Sequence, residues 1–327
     1  MDLPLTHLPD YRALGKPASG GFISFIDAPV ATDLESLDAD VAILGVPYGM
    51  PYEMGQSWTF DAPRYLREKS LRFRRALGPY HSFDFGGPLL DGQDIRVVDC
   101  GDVPGDPADL RGNVERATRA VAAILARGAV PIVFGGDDAV PIPVVRAYEE
   151  RGPIVVVQID QHLDFTDEVD GVREGYSSPM RRLSEMPWVE RIVQIGLHGT
   201  GSGRVADVEA AQAAGNLLIA ERQVHEEGVE TVLDRMPEGA SYFITLDFDG
   251  LDPAICPAVS HPEPGGLSFA EAVGLLRGLA TKGTVVGMDL VEFVPEHDLN
   301  GLGGHTAGRL VLNLINAMVR SGQFDRT

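Results

Sequence analysis

Short apolar runs alternate with longer amphipathic segments along most of this chain. Residues 154–159 are almost all aliphatic, which is typical of a buried parallel strand. Residues 113–127 instead place apolar side chains at helical spacing, and Gly128 then predicts the end of a helix. The two patterns together predict strands at 41–46, 95–99, 131–134, 154–159, 192–196, 217–219, 242–247 and 285–289, and helices at 63–70, 113–127, 143–150, 205–214, 227–235, 269–282 and 306–320.

This alternation determines the expected architecture. Strands separated by helices form a parallel sheet with helices on both faces, so the sequence predicts an α/β protein with three layers. No repeat, low-complexity segment or linker divides the chain. We therefore expect one domain over residues 39–327, with the weakly periodic residues 1–38 forming an N-terminal arm packed on it.

Five acidic side chains and one histidine follow three of the predicted strands. They are Asp138 after strand 131–134, Asp160, His162 and Asp164 after strand 154–159, and Asp247 and Asp249 at the end of strand 242–247. Open α/β sheets bind ligands at the carboxyl ends of their strands. Carboxylates gathered there would repel one another unless a cation joined them. The alternative is that these are polar strand ends leading into solvated turns.

The composition of this acidic set indicates which cation would bind. Five carboxylates and one imidazole are too many for one tetrahedral zinc ion. Oxygen-rich ligation with a single nitrogen suits two hard or borderline ions such as Mn²⁺. Two ions held close together ionise a shared water near neutral pH. The sequence therefore predicts a binuclear hydrolytic centre.

The order of these motifs resembles that of the ureohydrolases, the family that includes arginase, agmatinase, guanidinobutyrase and formimidoylglutamase. The motifs are Gly-Gly-Asp at 135–137, Asp-x-His-x-Asp at 160–164 and Asp-x-Asp-Gly-Leu-Asp-Pro at 247–253, with further matches at 45–48, 62–64, 262–267 and 289–293. The resemblance covers most of the chain. It implies an arginase-type α/β/α sandwich with a mainly parallel sheet of about eight strands.

The resemblance also implies roles for individual residues. One metal ion would be bound by Asp138, Asp160, Asp164 and Asp247, and the other by Asp160, His162, Asp247 and Asp249. A hydroxide between the ions would attack a guanidinium carbon, releasing urea and an amine. Glu292 would hold the guanidinium by a charge-assisted bidentate pair, unless it is only a surface or ion-paired carboxylate. The implied cofactors are two divalent ions, Mn²⁺ first and Ni²⁺ second, and the implied assembly is a homo-oligomer, either a trimer or a hexamer.

Three positions depart from the family pattern. The family usually has His where this chain has Asp138, and it has a proton-shuttling His where Tyr176 stands. A Tyr with an ordinary pKa of about 10 is a poor proton shuttle at neutral pH. The third departure is at residues 258–262, Ala-Val-Ser-His-Pro, where the family usually has Gly-Thr-Gly-Thr-Pro. His261 in this segment could supply the missing imidazole or could simply be solvated. We therefore predict that the catalytic residues are Asp164, Glu292, Tyr176 and His261, and that Glu292 and Tyr176 contact the substrate.

The predicted reaction is hydrolysis of a small cationic guanidino compound, of the agmatine or guanidino-acid type. One alternative is an inactive or weakly active ureohydrolase-like subunit, which the loss of two histidines would favour. Another is hydrolysis of a different C–N bond, such as that of a formimino group. Tyr48, Tyr52 and Trp58 follow the first strand, where they either line the pocket or pack within the loop.

Composition narrows the choice of partners and compartment. The formal net charge of −21 argues against nucleic acid, because phosphate binding requires a positive face. Cys100 and Cys256 are the only cysteines, which excludes a disulfide framework. We find no signal-peptide pattern and no apolar run of about 18 residues, so we expect no membrane span. A reduced cytoplasm is the expected location.

Overall fold

The computed structural model describes residues 22–49, 58–75, 80–106 and 109–325. The strands in these ranges are β1 (Val41–Gly45), β2 (His81–Ser82), β3 (Gly87–Pro88), β4 (Val97–Asp102), β5 (Val130–Phe134), β6 (Ile154–Ile159), β7 (Val189–Leu197), β8 (Leu217–Ala220), β9 (Ser241–Asp247) and β10 (Thr284–Val291). Eight of them form one all-parallel sheet in the order β4-β1-β5-β10-β9-β6-β7-β8, and β2 and β3 form a small antiparallel hairpin. The predicted parallel sheet of about eight strands is confirmed.

Helices cover both faces of the sheet. They are α1 (Ala62–Ser70), α2 (Leu110–Ala126), α3 (Pro141–Arg146), α4 (Pro179–Ser184), α5 (Val205–Ala213), α6 (Glu221–Glu227), α7 (Val229–Leu233), α8 (Phe269–Lys282) and α9 (Leu302–Arg320). Alternate side chains of β1 enter different cores, as period-two alternation requires. Ile43 belongs to the core that includes side chains of α1 and α6 to α9, and Leu44 belongs to the core that includes side chains of α2 to α5. The three-layer α/β/α architecture follows from this arrangement.

Two parts of the helical prediction were wrong. A single helix was expected over 227–235, but α7 occupies only Val229–Leu233 of this range, and Gly228 at φ 83° separates it from α6, which lies almost entirely before the range. This left-handed conformation suits glycine and interrupts the helical hydrogen bonds. Helix α4, a six-residue helix that begins at Pro179, was not predicted from the sequence.

The segment before β1 contacts the edge of the sheet. The main chain of residues 29–31 pairs with Asp99 of β4, which is an edge strand. The N–H of Phe25 donates to the Asp99 carboxylate at 2.7 Å, and the N–H of Ile26 donates to Ser70 Oγ at 2.7 Å. The same Asp99 carboxylate binds the fully buried guanidinium of Arg67 at 2.8 Å. Residues 22–31 are therefore joined to the sheet and to α1 by buried hydrogen bonds.

None of the helices within the described ranges has both the length and the apolar composition that crossing a membrane would require.

Candidate active site

Four neighbouring strands of the sheet end at acidic residues predicted from the sequence. β5 leads into Asp138, β6 leads into Asp160, β9 ends at Asp247 and β10 leads into Glu292. In the sheet these strands lie side by side in the order β5-β10-β9-β6. Because all of them are parallel, their carboxyl ends meet at one edge, where ligands bind in such sheets. Four separate segments of the chain therefore converge on one site.

Asp138, Asp160 and Asp164 form the first ligand group. Each offers a carboxylate oxygen, and these oxygens lie within 4.8 Å of one another. Neither oxygen of Asp138 receives a hydrogen bond from any described residue, although both are buried. Burial, together with the charges of Asp164 and Asp247, raises the pKa of Asp138 well above its ordinary value. Such a carboxylate is costly to bury unless a cation neutralises it.

Asp160, His162 and Asp249 form the second ligand group, also with ligand atoms within 4.8 Å of one another. His162 Nδ1 lies 3.1 Å from Asp249 Oδ2 and 3.6 Å from Asp160 Oδ1. Its other ring nitrogen, Nε2, is 2.9 Å from the side-chain amide of Gln161. Burial opposes the imidazolium, but the hydrogen bond and charge of Asp249 raise the pKa of His162 to about 9. Asp160 belongs to both ligand groups.

Asp247 is buried beside the two ligand groups. Its Oδ1 accepts a hydrogen bond from the N–H of Asp249 at 2.8 Å, and its charge contributes to the raised pKa of Asp160. Among the described residues, however, it is not a member of either three-residue group. Its contact with both metal ions stays a prediction.

Glu292 lies beside the first ligand group. Its Oε1 accepts a hydrogen bond from the N–H of Asp138 at 2.9 Å. Burial and the charge of Asp137 raise the pKa of Glu292 to about 8. Asp137 itself accepts a hydrogen bond from the N–H of Ala139 at 3.0 Å, and burial raises its pKa to about 6. This part of the site therefore favours a bound cation, which would allow both carboxyl groups to ionise.

The backbone is strained at two of the predicted catalytic residues. Asp164 has φ 45° and Glu292 has φ 62°, in the left-handed region that residues other than glycine rarely adopt. Such strain costs of order 1–3 kcal/mol per residue and clusters at functional sites. The carbonyl of Asp164 accepts a hydrogen bond from the N–H of Met180 at 3.1 Å, which helps to hold this conformation. Both residues therefore depart from regular strand geometry at the positions where they enter the site.

The donor set fits divalent cations. Carboxylate oxygens and one imidazole, several of them buried and mutually repulsive, are the ligands that Mn²⁺ and related ions prefer. Because Asp160 is shared, the two ligand groups adjoin one another at this residue. Cation binding would account for the two buried oxygens of Asp138, which receive no hydrogen bond from the described part of the chain.

The two catalytic residues predicted on loops lie outside these ligand groups. Tyr176 is 38% exposed, on a loop in which the Ser177 carbonyl accepts a hydrogen bond from Thr166. His261 is exposed, with Nδ1 3.2 Å from Ser260 Oγ. The loop that carries His261 is fixed at its base, where Leu251 pairs with Leu267 just beyond Asp249. Their catalytic roles stay predictions.

Three aromatic residues after β1 were expected either to line the pocket or to pack within the loop, and the structure describes two of them. Tyr48 is buried, and its hydroxyl donates to the Asn113 carbonyl at 2.7 Å, so it packs within the protein. Trp58 is 47% exposed, with its ring centroid 6.5 Å from that of His297 in the loop after β10. Tyr52 lies outside the described residues. His198 places Nδ1 2.7 Å from the Gly196 carbonyl.

Sequence reasoning missed the buried polar residues beneath the site. Gln158 of β6 donates to Asp160 and Asp164, and Gln194 of β7 in turn donates to Gln158. Their signal was present in the sequence, since each is the single polar residue of its predicted strand, 154–159 or 192–196. Gln158 also precedes Asp160 by two positions, which places both side chains on the same face of the strand.

Comparison with known proteins identifies relatives of this arrangement. The sequence model of the arginase family matches residues 39–317. Mitochondrial guanidino acid hydrolase of Homo sapiens is 28% identical over 97% of this chain and 88% of its own length. Mitochondrial agmatinase of Gallus gallus is 31% identical over 86% of this chain and 81% of its own length. The solved structure of proclavaminate amidino hydrolase from Streptomyces clavuligerus has a TM-score of 0.81 at 25% identity, covering 94% of this chain and 100% of that one. With a match that extends over most of its length, this chain belongs to the arginase family.

Proposed function

We propose that this protein hydrolyses a C–N bond of a small cationic guanidino compound, releasing urea and an amine. The observation that carries the proposal is the shared acidic site, in which two ligand groups meet at Asp160 and none of the described residues donates a hydrogen bond to the Asp138 oxygens. The names of the relatives support the reaction class, since they include an agmatinase and a guanidino acid hydrolase. The acidic site and the names of the relatives together support hydrolysis of a linear amidine.

Two divalent ions are the proposed cofactors, with Mn²⁺ preferred and Ni²⁺ as the second choice. Asp138, Asp160 and Asp164 would hold one ion, and Asp160, His162 and Asp249 would hold the other. Asp247, which is buried and whose charge acts on Asp138 and Asp160, is proposed as a further ligand of both ions. When bound, such ions supply a nucleophile from water near neutral pH and stabilise developing negative charge.

Glu292 is the proposed anchor for the substrate. A guanidinium is planar and carries its charge on a fork of N–H donors, which a carboxylate accepts in bidentate fashion. The pKa of Glu292, raised to about 8, means that the carboxyl is poorly ionised without a cation beside it. A bound guanidinium would favour the ionised form, so that binding and orientation occur together. Asp137 adds negative charge to the same part of the site.

Tyr176 and His261 are proposed to act on the substrate from the loops. Tyr176 would orient the substrate or donate a proton, and His261 would supply an imidazole for proton transfer. Neither residue belongs to the ligand groups, which leaves them available for such roles. We further propose that the protein is a cytoplasmic homo-oligomer, either a trimer or a hexamer, with residues 1–38 as an arm on the domain 39–327. The two cysteines are both free and buried, which is compatible with a reducing compartment.

The proposal is tested by measuring urea release from purified protein loaded in turn with Mn²⁺ and Ni²⁺. The substrate panel would contain agmatine, arginine, 4-guanidinobutyrate, 3-guanidinopropionate, guanidinoacetate and guanidine, with chelator-treated protein as the control. We expect urea from at least one guanidino compound and none after chelation. Bound metal without urea from any of them would instead point to a formimino or other C–N substrate. Absence of both urea and bound metal would contradict the proposal.

A further inference from the structure

A row of buried polar side chains crosses the centre of the sheet beneath the ligand groups. Asp289 of β10 lies in register with Thr245 of β9, Thr245 with Gln158 of β6, and Gln158 with Gln194 of β7. All four residues are at most 1% exposed. They point to the same face of the sheet, between strand positions that are otherwise apolar. Burying polar groups at this depth is unfavourable unless each finds a partner.

Three amide side chains in this region form a continuous hydrogen-bonded path, here called the amide network, made of Gln158, Gln194 and Asn216. Asn216 Nδ2 donates to Gln194 Oε1 at 2.9 Å. Gln194 Nε2 donates to Gln158 Oε1 at 2.6 Å. Gln158 Nε2 donates to Asp160 Oδ2 at 2.6 Å and to Asp164 Oδ2 at 3.2 Å. The path therefore runs from Asn216, the residue before the edge strand β8, to two carboxylates of the first ligand group.

The donor-to-acceptor direction of this path is determined by groups that can only accept hydrogen bonds. Gln194 Nε2 also donates to the Leu163 carbonyl at 2.7 Å, and a carbonyl can only accept. Its N–H₂ group must therefore face Gln158 and Leu163, which turns its oxygen toward Asn216. The Gln158 oxygen accepts this bond, so its own N–H₂ must face the carboxylates. Every amide in the network then presents its donors in the direction of the site.

The two N–H donors of the Gln158 side chain match two carboxylate acceptors in number and direction. A primary amide has two N–H donors at a fixed angle, and Gln158 directs one to Asp160 and one to Asp164. Gln194 meanwhile fixes the carbonyl of Leu163, the residue immediately before Asp164. Asp164 is thus held by its side chain and by the adjacent main chain, at a residue whose own φ of 45° is strained. The amide network fixes the separation of two ligand carboxylates.

We infer that Gln158, Gln194 and Asn216 are positioning residues that set the metal affinity of the site by orienting Asp160 and Asp164. The inference rests on the proposed function, because it requires that these carboxylates bind metal ions. Partners that orient metal ligands change metal affinity by roughly 10–100-fold when removed. The opposing interpretation is that the amides only satisfy one another within the core, in which case they would affect folding but not metal binding.

The test is a double-mutant cycle with Mn²⁺ affinity, measured by calorimetry, as the readout. Gln158→Met keeps the volume of the side chain but removes both donors. Asn216→Asp replaces the outermost donor by an acceptor that faces Gln194 Oε1. The matched control is Gln212→Glu, which adds the same charge at an exposed position of the nearby helix α5. Denaturant unfolding with chelator present separates loss of folding from loss of metal binding.

We expect Gln158→Met to weaken Mn²⁺ binding by roughly 10–100-fold and Asn216→Asp to weaken it by several-fold. The double variant should bind about as weakly as Gln158→Met alone, because Asn216 acts through Gln158. Gln212→Glu should leave the affinity unchanged.

Two results would overturn the inference while leaving the proposed function intact. One is wild-type Mn²⁺ affinity in Gln158→Met. The other is a fully additive cycle, which would show that Asn216 does not act through Gln158. If Gln158→Met fails to fold, the Mn²⁺ affinity of Asn216→Asp becomes the test. Wild-type affinity in that variant would then overturn the inference that the amide network sets metal affinity. A wild-type protein that binds no divalent ion would overturn both the inference and the proposed function.

Discussion

The carboxylate of Glu292 accepts a hydrogen bond from the main-chain N–H of Asp138 at 2.9 Å, although 154 positions separate them in the chain. The main chain of Glu292 in turn donates to the Gly136 carbonyl at 2.9 Å. These reciprocal bonds join the ends of β10 and β5, which are neighbours in the sheet. The proposed substrate anchor is therefore held against the first ligand group by main-chain groups that substitutions of other side chains would leave in place.

Glu292→Gln should separate substrate binding from metal binding. The amide oxygen can still accept the N–H of Asp138, but the negative charge that would pair with a guanidinium is lost. Removing one partner of a buried charge pair costs about 2–5 kcal/mol. We expect kcat/KM for the guanidino substrate to fall at least 30-fold, with Mn²⁺ content unchanged. Equal kcat/KM in the variant and the wild type would exclude Glu292 as the anchor.

Asp247→Ala should abolish both metal binding and turnover. Asp247 is buried, its charge acts on Asp138 and Asp160, and it is proposed to bind both ions, so its removal would take one ligand from each ion. The measurements are metal content by elemental analysis and urea release. Asp234→Ala, at an exposed aspartate just after α7, is the control and should behave as wild type. Full activity in Asp247→Ala would show that the acidic cluster is not the catalytic centre.

Asp138→His should shift the pH dependence of the reaction. The substitution removes one negative charge from the first ligand group and introduces the residue that the family usually has at this position. Bound ions become stronger Lewis acids when fewer anionic ligands surround them, which lowers the pKa of a water bound to them. We expect the acid limb of the kcat/KM profile to move to lower pH, with metal still bound. A shift to higher pH would contradict this account of Asp138.

Asp289→Asn should change how stability depends on pH. Burial raises the pKa of Asp289 from 3.8 to about 8, so the native state keeps a proton that the unfolded state has already released. As pH rises from about 4 to about 8, this difference favours the unfolded state and lowers the free energy of unfolding, by up to about 1.4 kcal/mol per pH unit.

The asparagine variant cannot titrate, so its free energy of unfolding should fall less than that of wild type between pH 5 and pH 7.5. The measurement is urea denaturation at both pH values with chelator present, comparing slopes rather than absolute stabilities. The exposed variant Asp234→Asn serves as the control. Identical pH dependence in wild type and Asp289→Asn would show that Asp289 is ionised throughout this range.

The strands, and the acidic residues that follow them, could be predicted because each depends only on residues that are neighbours in the sequence. An aliphatic run such as 154–159 indicates a buried strand, and the residue types that follow it indicate the chemistry. Strand order is not local, however. Nothing in the residues around Glu292 shows that β10 lies between β5 and β9, and the hydrogen bond to Asp138 depends on that order.

The amide network was missed for the same reason. Gln158 and Gln194 are visible in the sequence as polar interruptions, but their bond depends on the register of β6 against β7. The strained backbone of Asp164 also has no sequence signature, because aspartate is not a residue that requires positive φ. The helix boundary at Gly228 could have been predicted, since an isolated glycine within a helical pattern often marks such a break.

The contacts of residues 22–31 bear on how this protein can be shortened and expressed. A chain cut at residue 39, where the family match begins, would lose the main-chain partners of Asp99 and uncover the edge of β4. It would also expose the pocket occupied by Phe25 and Ile26, each 1% exposed in the intact chain. An unpaired strand edge beside an apolar surface is a template for aggregation. Shortened forms that keep residues 22–31 should therefore remain monodisperse under conditions in which the shorter one precipitates.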